Sequence, residues 1–167
     1  MTSPPQIVGF TARPFEARDV APLQALFDED PEYFEANGRA FPVDEVRDAL
    51  PPGRTREDKF TFALERNGRV EGVIDLIRSY PEPHIWHLGL IFLSKAVRGG
   101  GAGRRCLHAL YGWVRVQGGT VIRLGVVEPN TKARHLYATE GFVYETTREL
   151  DPEAKRLRRT LVLRRPL

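Results

Sequence analysis

Apolar positions along this chain recur at two periods, and each period predicts a different element. Val20, Leu23, Leu26 and Phe27 fall on one helical face, so a helix is expected over 20–28 with Asp19 as its N-cap. A second helical piece, 43–50, is closed by Pro51-Pro52-Gly53, and the stretch 31–38 between the two reads as irregular or a short helix. Residues 7–13 predict a first strand. Residues 60–66 and 69–80 predict two more, joined at Asn67-Gly68, a strong short hairpin signal. Pro81-Glu82-Pro83 turns the chain into an apolar run, 84–93, that reads as the third strand of a meander. Leu107, Leu110, Tyr111 and Val114 then mark a helix to about Gln117, ended by Gly118-Gly119. A strand over 120–127, a helix from Asn130, a strand over 142–150 and a last strand over 157–164 complete the order. The last two are expected to pair through the loop at Asp151-Pro152. This order is mixed α/β, in one domain over residues 1–167, without repeats or long linkers.

Composition narrows the class without naming a function. No segment has the apolar length that crosses a bilayer, and Met1-Thr2-Ser3-Pro4-Pro5 lacks a signal-peptide pattern. The one cysteine, Cys106, staples nothing and reads as a buried apolar residue, in keeping with a reducing cytoplasm. The net charge is +3, and basic residues crowd the end at Lys155, Arg156, Arg158, Arg159, Arg164 and Arg165. Leu157, Leu161 and Leu163 alternate there with polar residues, as on a half-buried strand. The cations therefore read as a solvated face, and neither a nucleic-acid nor a membrane partner is expected.

The most informative stretch is Arg98-Gly99-Gly100-Gly101-Ala102-Gly103-Arg104. It joins a predicted strand to a predicted helix, so several unpaired N–H groups meet at one point. Glycine lets a ligand approach them, and the helix dipole favours negative charge there. This is a pyrophosphate cradle. A P-loop is excluded, because Gly103 is followed by Arg104 and Arg105 where Lys-Ser or Lys-Thr is required. A dinucleotide fingerprint fails too, with Arg104 or Cys106 at its third small position.

Arg98, Gly101 and Gly103 match Gln/Arg-x-x-Gly-x-Gly/Ala, and Asn130, Ala133 and Tyr137 match Asn-x-x-Ala-x-x-x-Tyr, followed by Gly141-Phe142. In both blocks the chain resembles the GNAT superfamily of N-acetyltransferases, most clearly from about Trp86 to Phe142; Lys95 stands where many members carry proline. The resemblance implies a central, mostly antiparallel mixed sheet, flanked by helices, whose central strands splay apart. It implies acetyl-CoA as co-substrate and a primary amine, small molecule or peptide, that attacks the thioester directly. By the same resemblance the main chain of Ile91, Phe92 and Leu93 would bind the acetyl carbonyl and pantetheine arm. Arg98, Gly99, Gly100, Gly101, Ala102, Gly103 and Arg104 would hold the phosphates, and Asn130 the pantetheine amides. Tyr137 would sit by the sulfur. A homodimer is common among such proteins, although no residue here demands one.

Acetyl transfer to an amine needs a proton removed, an oxyanion stabilised and a thiolate protonated. Tyr137, a phenol protonated at neutral pH, suits the last task. His87 is a candidate base, placed by strict alternation on the face of Gly89, Ile91 and Leu93; a structural histidine in a strand pair is the competing reading. Asp75, an acid inside an apolar run, needs a partner if buried. It is a base, an amine binder or half of an internal salt bridge. Glu128 is a further acid whose plain reading is a solvated loop residue, and a water relay would dispense with any single base. Asn130 also reads as an N-cap, and Arg105 as a solvated helix position. Tyr33, Phe34, Phe41 and Trp86 either line the acceptor entrance or belong to the core. His84, His108 and His135 lack partners at ligand spacing, so no metal is expected. The alternative from another class is a non-catalytic acyl-CoA-binding sensor or interaction module, which would bind the same co-substrate and transfer nothing.

Overall fold

The computed structural model describes residues 2–36, 43–149 and 159–167. Within them the chain runs β1 (Thr11–Pro14), α1 (Val20–Asp28), α2 (Pro31–Ala36), α3 (Val43–Asp48), β2 (Lys59–Arg66), β3 (Arg69–Ile77) and β4 (Ile85–Leu93). It continues through α4 (Ala102–Val116), β5 (Val121–Val127), α5 (Thr131–Thr139), β6 (Val143–Arg148) and β7 (Thr160–Pro166). The seven strands form one sheet in the order β1-β2-β3-β4-β5-β7-β6. Every neighbouring pair is antiparallel except β4 and β5. This is the mixed, mostly antiparallel sheet that the element order and the resemblance together implied.

Each face of the sheet buries its own apolar layer. On one side α4 turns Leu107, Leu110 and Val114 onto Ile74, Leu76, Trp86, Leu88, Ile122 and Leu124. On the other, Leu23, Phe27, Phe34, Val43 and Val46 from α1 to α3 cover Val73 and Phe92. The meander pairs through the two-residue turn Asn67-Gly68, both with positive φ, as a type I′ hairpin requires. The final pair forms as expected, with β7 inserted between β5 and β6; the loop at Asp151-Pro152 lies outside the described residues, as do Phe41, Lys155, Arg156, Leu157 and Arg158.

Three local expectations are corrected. The first strand does not begin at Ile7: Gly9 takes φ +90°, the Phe10 amide bonds back to Ile7, and pairing starts only at Thr11. Asp19 stands at the N-cap position of α1, but its side chain makes no cap bond to that helix. Its carboxylate takes both Arg13 guanidinium nitrogens (2.6 and 2.7 Å) and the Glu16 amide (2.7 Å), because a 3₁₀ turn over Ala17–Asp19 precedes the helix. The strict alternation assumed along 84–93 also breaks. Asp75 pairs with Leu90 and Leu76 with Leu88, so Gly89 is an extra residue, and a bulge of this kind reverses which face later residues take. Trp86, Leu88 and Leu93 therefore share the α4 layer, while Phe92 and Leu90 join the α1–α3 layer. His87, between Trp86 and Leu88, lies on the α1–α3 side, opposite Ile91 and Leu93.

Candidate active site

β4 and β5 pair only from Ile85↔Val121 to Leu88↔Leu124. Beyond that point they part. The gap opens into a cleft of about 1580 Å³ whose walls include Asp75, His87, Ile91, Leu93, Arg98 and Tyr137. Gly99, Gly103 and Asn130 line it as well.

The bulge sets what β4 offers this cleft. In an antiparallel pair, successive residues turn their main-chain polar groups to opposite edges. The Tyr33 hydroxyl donates to the Ile91 carbonyl (3.2 Å) and Arg98 Nε donates to the Leu93 carbonyl (2.7 Å). Both carbonyls thus lie on the edge turned away from β3, and the N–H groups of Ile91 and Leu93 share that edge. Phe92 alternates to the β3 side and is fully buried, so neither its main chain nor its ring lines the cleft.

At the cradle Gly99, Gly100 and Gly101 take φ values of +83°, +52° and +77°. Three left-handed residues in succession curl the chain into α4 at little steric cost only because each is glycine. Among the described residues no hydrogen bond takes the amides of Gly99, Gly100, Gly101, Gly103 or Arg104. The dipole of the 15-residue α4 adds positive potential at the same point. Five free donors at a helix start suit a pyrophosphate, and the open β4 edge suits a chain of amides. The residues present therefore fit acetyl-CoA.

The cradle's side chains point elsewhere. Arg98 is ion-paired with Asp30 and lies over the rings of Tyr33 (5.2 Å) and Phe92 (5.3 Å). Arg104 pairs with Glu140 (2.6 Å), which also holds His108 (2.7 Å). Ala102 is buried beneath the loop. Arg105 does more than sequence reasoning gave it: it donates to Gly100 O (2.6 Å) and Val8 O (3.1 Å), tying the loop to the N-terminal segment. Asp30 and Tyr33 were likewise missed as partners of the loop. The signal for Asp30 was available in Asp30-Pro31, an N-cap type followed by proline at the first helical position; its carboxylate accepts from the Tyr33 amide (3.3 Å).

Asn130 caps α5, accepting from the Ala133 amide (3.1 Å), and this brings Tyr137 two turns later to the cleft wall. Tyr137 stacks edge-on against Phe142 (5.4 Å), and burial pushes its hydroxyl up to about 12. His87 packs edge-on against Tyr80 (5.8 Å), and burial, with lesser help from Arg123 and Arg148, lowers its pKa to about 4. It is neutral near pH 7. Asp75 has the buried partner it needs: Lys59 Nζ and Thr61 Oγ1 both reach its Oδ1 (2.7 Å each). Glu128 lies away from this group, paired at the surface with Arg159 (3.6 Å). Of the proposed entrance residues Tyr33 lines the cleft, whereas Phe34 and Trp86 are buried in the two cores. Among the described residues no group of three or more His, Cys, Asp or Glu side chains could hold a metal ion, and no helix is long and apolar enough to cross a membrane.

No curated protein sequence matches the chain. The fold is similar to the crystal structure of an acetyltransferase from Thermus thermophilus, at 24% identity and TM-score 0.75, over 96% of this chain and 99% of that one. It is also similar to a ribosomal-protein-alanine N-acetyltransferase from Brucella melitensis, at 24% identity and TM-score 0.72, over 94% and 99% of the two chains. The Salmonella typhimurium protein yncA, solved with its cofactor acetyl-CoA, is similar at 19% identity and TM-score 0.69, over 95% and 94%. At these identities the likeness is one of fold. The model of the acetyltransferase (GNAT) family, however, matches residues 23–142, well over half the chain and both sequence blocks. The chain belongs to the acetyltransferase (GNAT) family.

Proposed function

We propose that this protein is an N-acetyltransferase that moves the acetyl group of acetyl-CoA to a primary amine by direct attack, acting in the cytoplasm. The observation that carries this reading is the adjacency of five free amides at the start of α4 to the open edge of β4. One site receives the phosphates and the other the pantetheine arm, leaving the thioester between β4 and Tyr137.

In this reading the Ile91 amide, on the open edge just past the bulge, donates to the acetyl oxygen as it becomes negative. Tyr137 donates its proton toward the departing sulfur. Burial raises its pKa, and the same burial raises that of the thiol it serves, so the donation stays useful in the transition state. His87, held neutral mainly by burial, orients the incoming amine through a hydrogen bond. The acceptor enters past Tyr33, between the α1–α3 layer and the splayed strands, and is a small molecule or a peptide amine such as the ribosomal-protein alanine named for one similar structure.

The test is calorimetric titration with acetyl-CoA, comparing wild type with Gly101→Glu. The variant puts a negative, strained side chain at φ +77° in the cradle. Binding by the wild type that vanishes in a folded variant supports the reading. A wild type that does not bind ends it.

A further inference from the structure

Lys59, Thr61 and Asp75 form a group that the two sequence blocks do not touch. They come from β2 and β3, outside both blocks, and meet where β4 bulges. Asp75 Oδ1 is fully engaged, by Lys59 Nζ and Thr61 Oγ1. Oδ2 is different. It takes no donor among the described residues, yet it is not sealed away as a buried unpartnered atom, and Asp75 lines the cleft. Its place is against Gly89, where a Cβ would come within 2.8 Å of it. Glycine at the bulge therefore leaves room for this oxygen at the point where the strands separate.

The surroundings define its charge. Asp75 is 8% exposed, and the Lys59 side chain is 4% exposed. Burial raises the Asp75 pKa, opposed by Lys59 and by Thr61; no other charged group contributes to the shift. From β4 the neutral His87 shares its wall of the cleft, from α3 Glu45 does, and Arg148 stands at the end of β6. A carboxylate already paired with a buried ammonium is a poor host for a second cation, since the two like charges would share one oxygen pair in a desolvated place. It remains a good acceptor of a hydrogen bond from a neutral N–H.

We infer that Asp75 Oδ2 receives the proton of the attacking amine, and that Lys59 makes the site select the neutral amine over the ammonium. This inference rests on the acetyltransferase reading above. As the amine nitrogen bonds to the thioester carbon, the C–S bond breaks with its electron pair on sulfur. One amine proton passes to Asp75 Oδ2, the sulfur is protonated from Tyr137, and solvent exchange restores both groups. Asp75 is then a catalytic residue and Lys59 a positioning one.

The experiment uses n-butylamine as an unhindered probe, with saturating acetyl-CoA and release of the free thiol as readout, from about pH 6 to pH 10. Asp75→Asn, which keeps the shape and a bond to Lys59, is expected to lower kcat about a hundredfold while acetyl-CoA affinity stays within about twofold. Lys59→Met is expected to lower KM for butylamine near neutral pH, because the cation now binds. It should also lower kcat and move the acid limb of the rate profile toward the free amine's own pKa, whereas Lys59→Arg restores the wild-type profile. Wild-type kcat and pH profile in Asp75→Asn overturn the inference. So does a Lys59→Met protein whose KM and profile are unmoved, which also decides the matter if Asp75→Asn does not fold. A wild type that binds acetyl-CoA but leaves butylamine unacetylated at every pH likewise overturns it. A wild type that fails to bind acetyl-CoA overturns the reading beneath it.

Discussion

At the scale of single residues, burial has moved His87 and Tyr137 in the directions that keep both uncharged near neutral pH. For Tyr137 the consequence is kinetic. Tyr137→Phe keeps the ring against Phe142 and removes only the hydroxyl, so turnover is expected to fall by about 10²–10³ with acetyl-CoA affinity nearly unchanged, measured by steady-state kinetics beside calorimetry. For His87 the consequence is a pH-dependent stability. Its folded pKa of about 4 lies below the unfolded value of 6.5, so between them the unfolded chain binds more protons. The stabilisation is whole above the unfolded pKa and is lost as pH falls toward the folded one, by roughly 3 kcal/mol in all. Denaturant titrations of wild type and His87→Phe across that window are expected to show the wild type losing stability relative to the variant by about that amount as the pH drops. Parallel curves would mean that His87 titrates normally.

At the scale of elements, the site depends on two junctions. The first is the glycine loop into α4, where the strain of a side chain comes from backbone angle rather than crowding: no atom lies within 4 Å of a Cβ at Gly99 or Gly100. Gly100→Ala is therefore expected to cost about 1–2 kcal/mol of stability and to weaken acetyl-CoA binding more than any clash would suggest, as the loop relaxes out of its left-handed run. Thermal melts with and without acetyl-CoA check both parts. The second is the start of α5. Asn130→Ala removes the cap on Ala133 and is expected to destabilise the fold by about 1 kcal/mol, fraying the helix that carries Tyr137.

At the scale of the molecule, the cleft is a defect in the sheet that the rest of the fold holds open. Seven strands form one sheet, but β4 and β5 pair only as far as Leu88 and Leu124, and past that point the open β4 edge faces the cleft instead of β5. A ligand that fills this edge binds only the folded chain. Acetyl-CoA at about a hundred times its Kd is thus expected to add about 2.7 kcal/mol and raise Tm by roughly 5–10 °C, read by scanning calorimetry. A Gly101→Glu variant should show no such rise.

How much of this was legible before folding differs by site. The α4 face was readable because Leu107, Leu110, Tyr111 and Val114 keep helical spacing, and all four are buried. The hairpin at Asn67-Gly68 and the glycine turn into α4 were readable because positive φ selects residue type locally. The orientation of His87 was not, since one inserted residue at Gly89 reverses the faces beyond it, and a bulge is a property of two strands in register. The partners Lys59 for Asp75, Asp30 for Arg98 and Glu140 for Arg104 were hidden for a related reason. Each joins elements distant in the chain, and a charge that looks solvated in sequence is claimed by whichever opposite charge the fold brings near.

The sequence by itself determined the elements, their order and the loop of free amides, because period, turn chemistry and glycine act within a few residues. Only the tertiary structure decided where β4 leaves β5, which main-chain edge it exposes, and which carboxylate oxygen stays open beside it. Those are outcomes of strand register and burial, and they exist only once distant segments pack together.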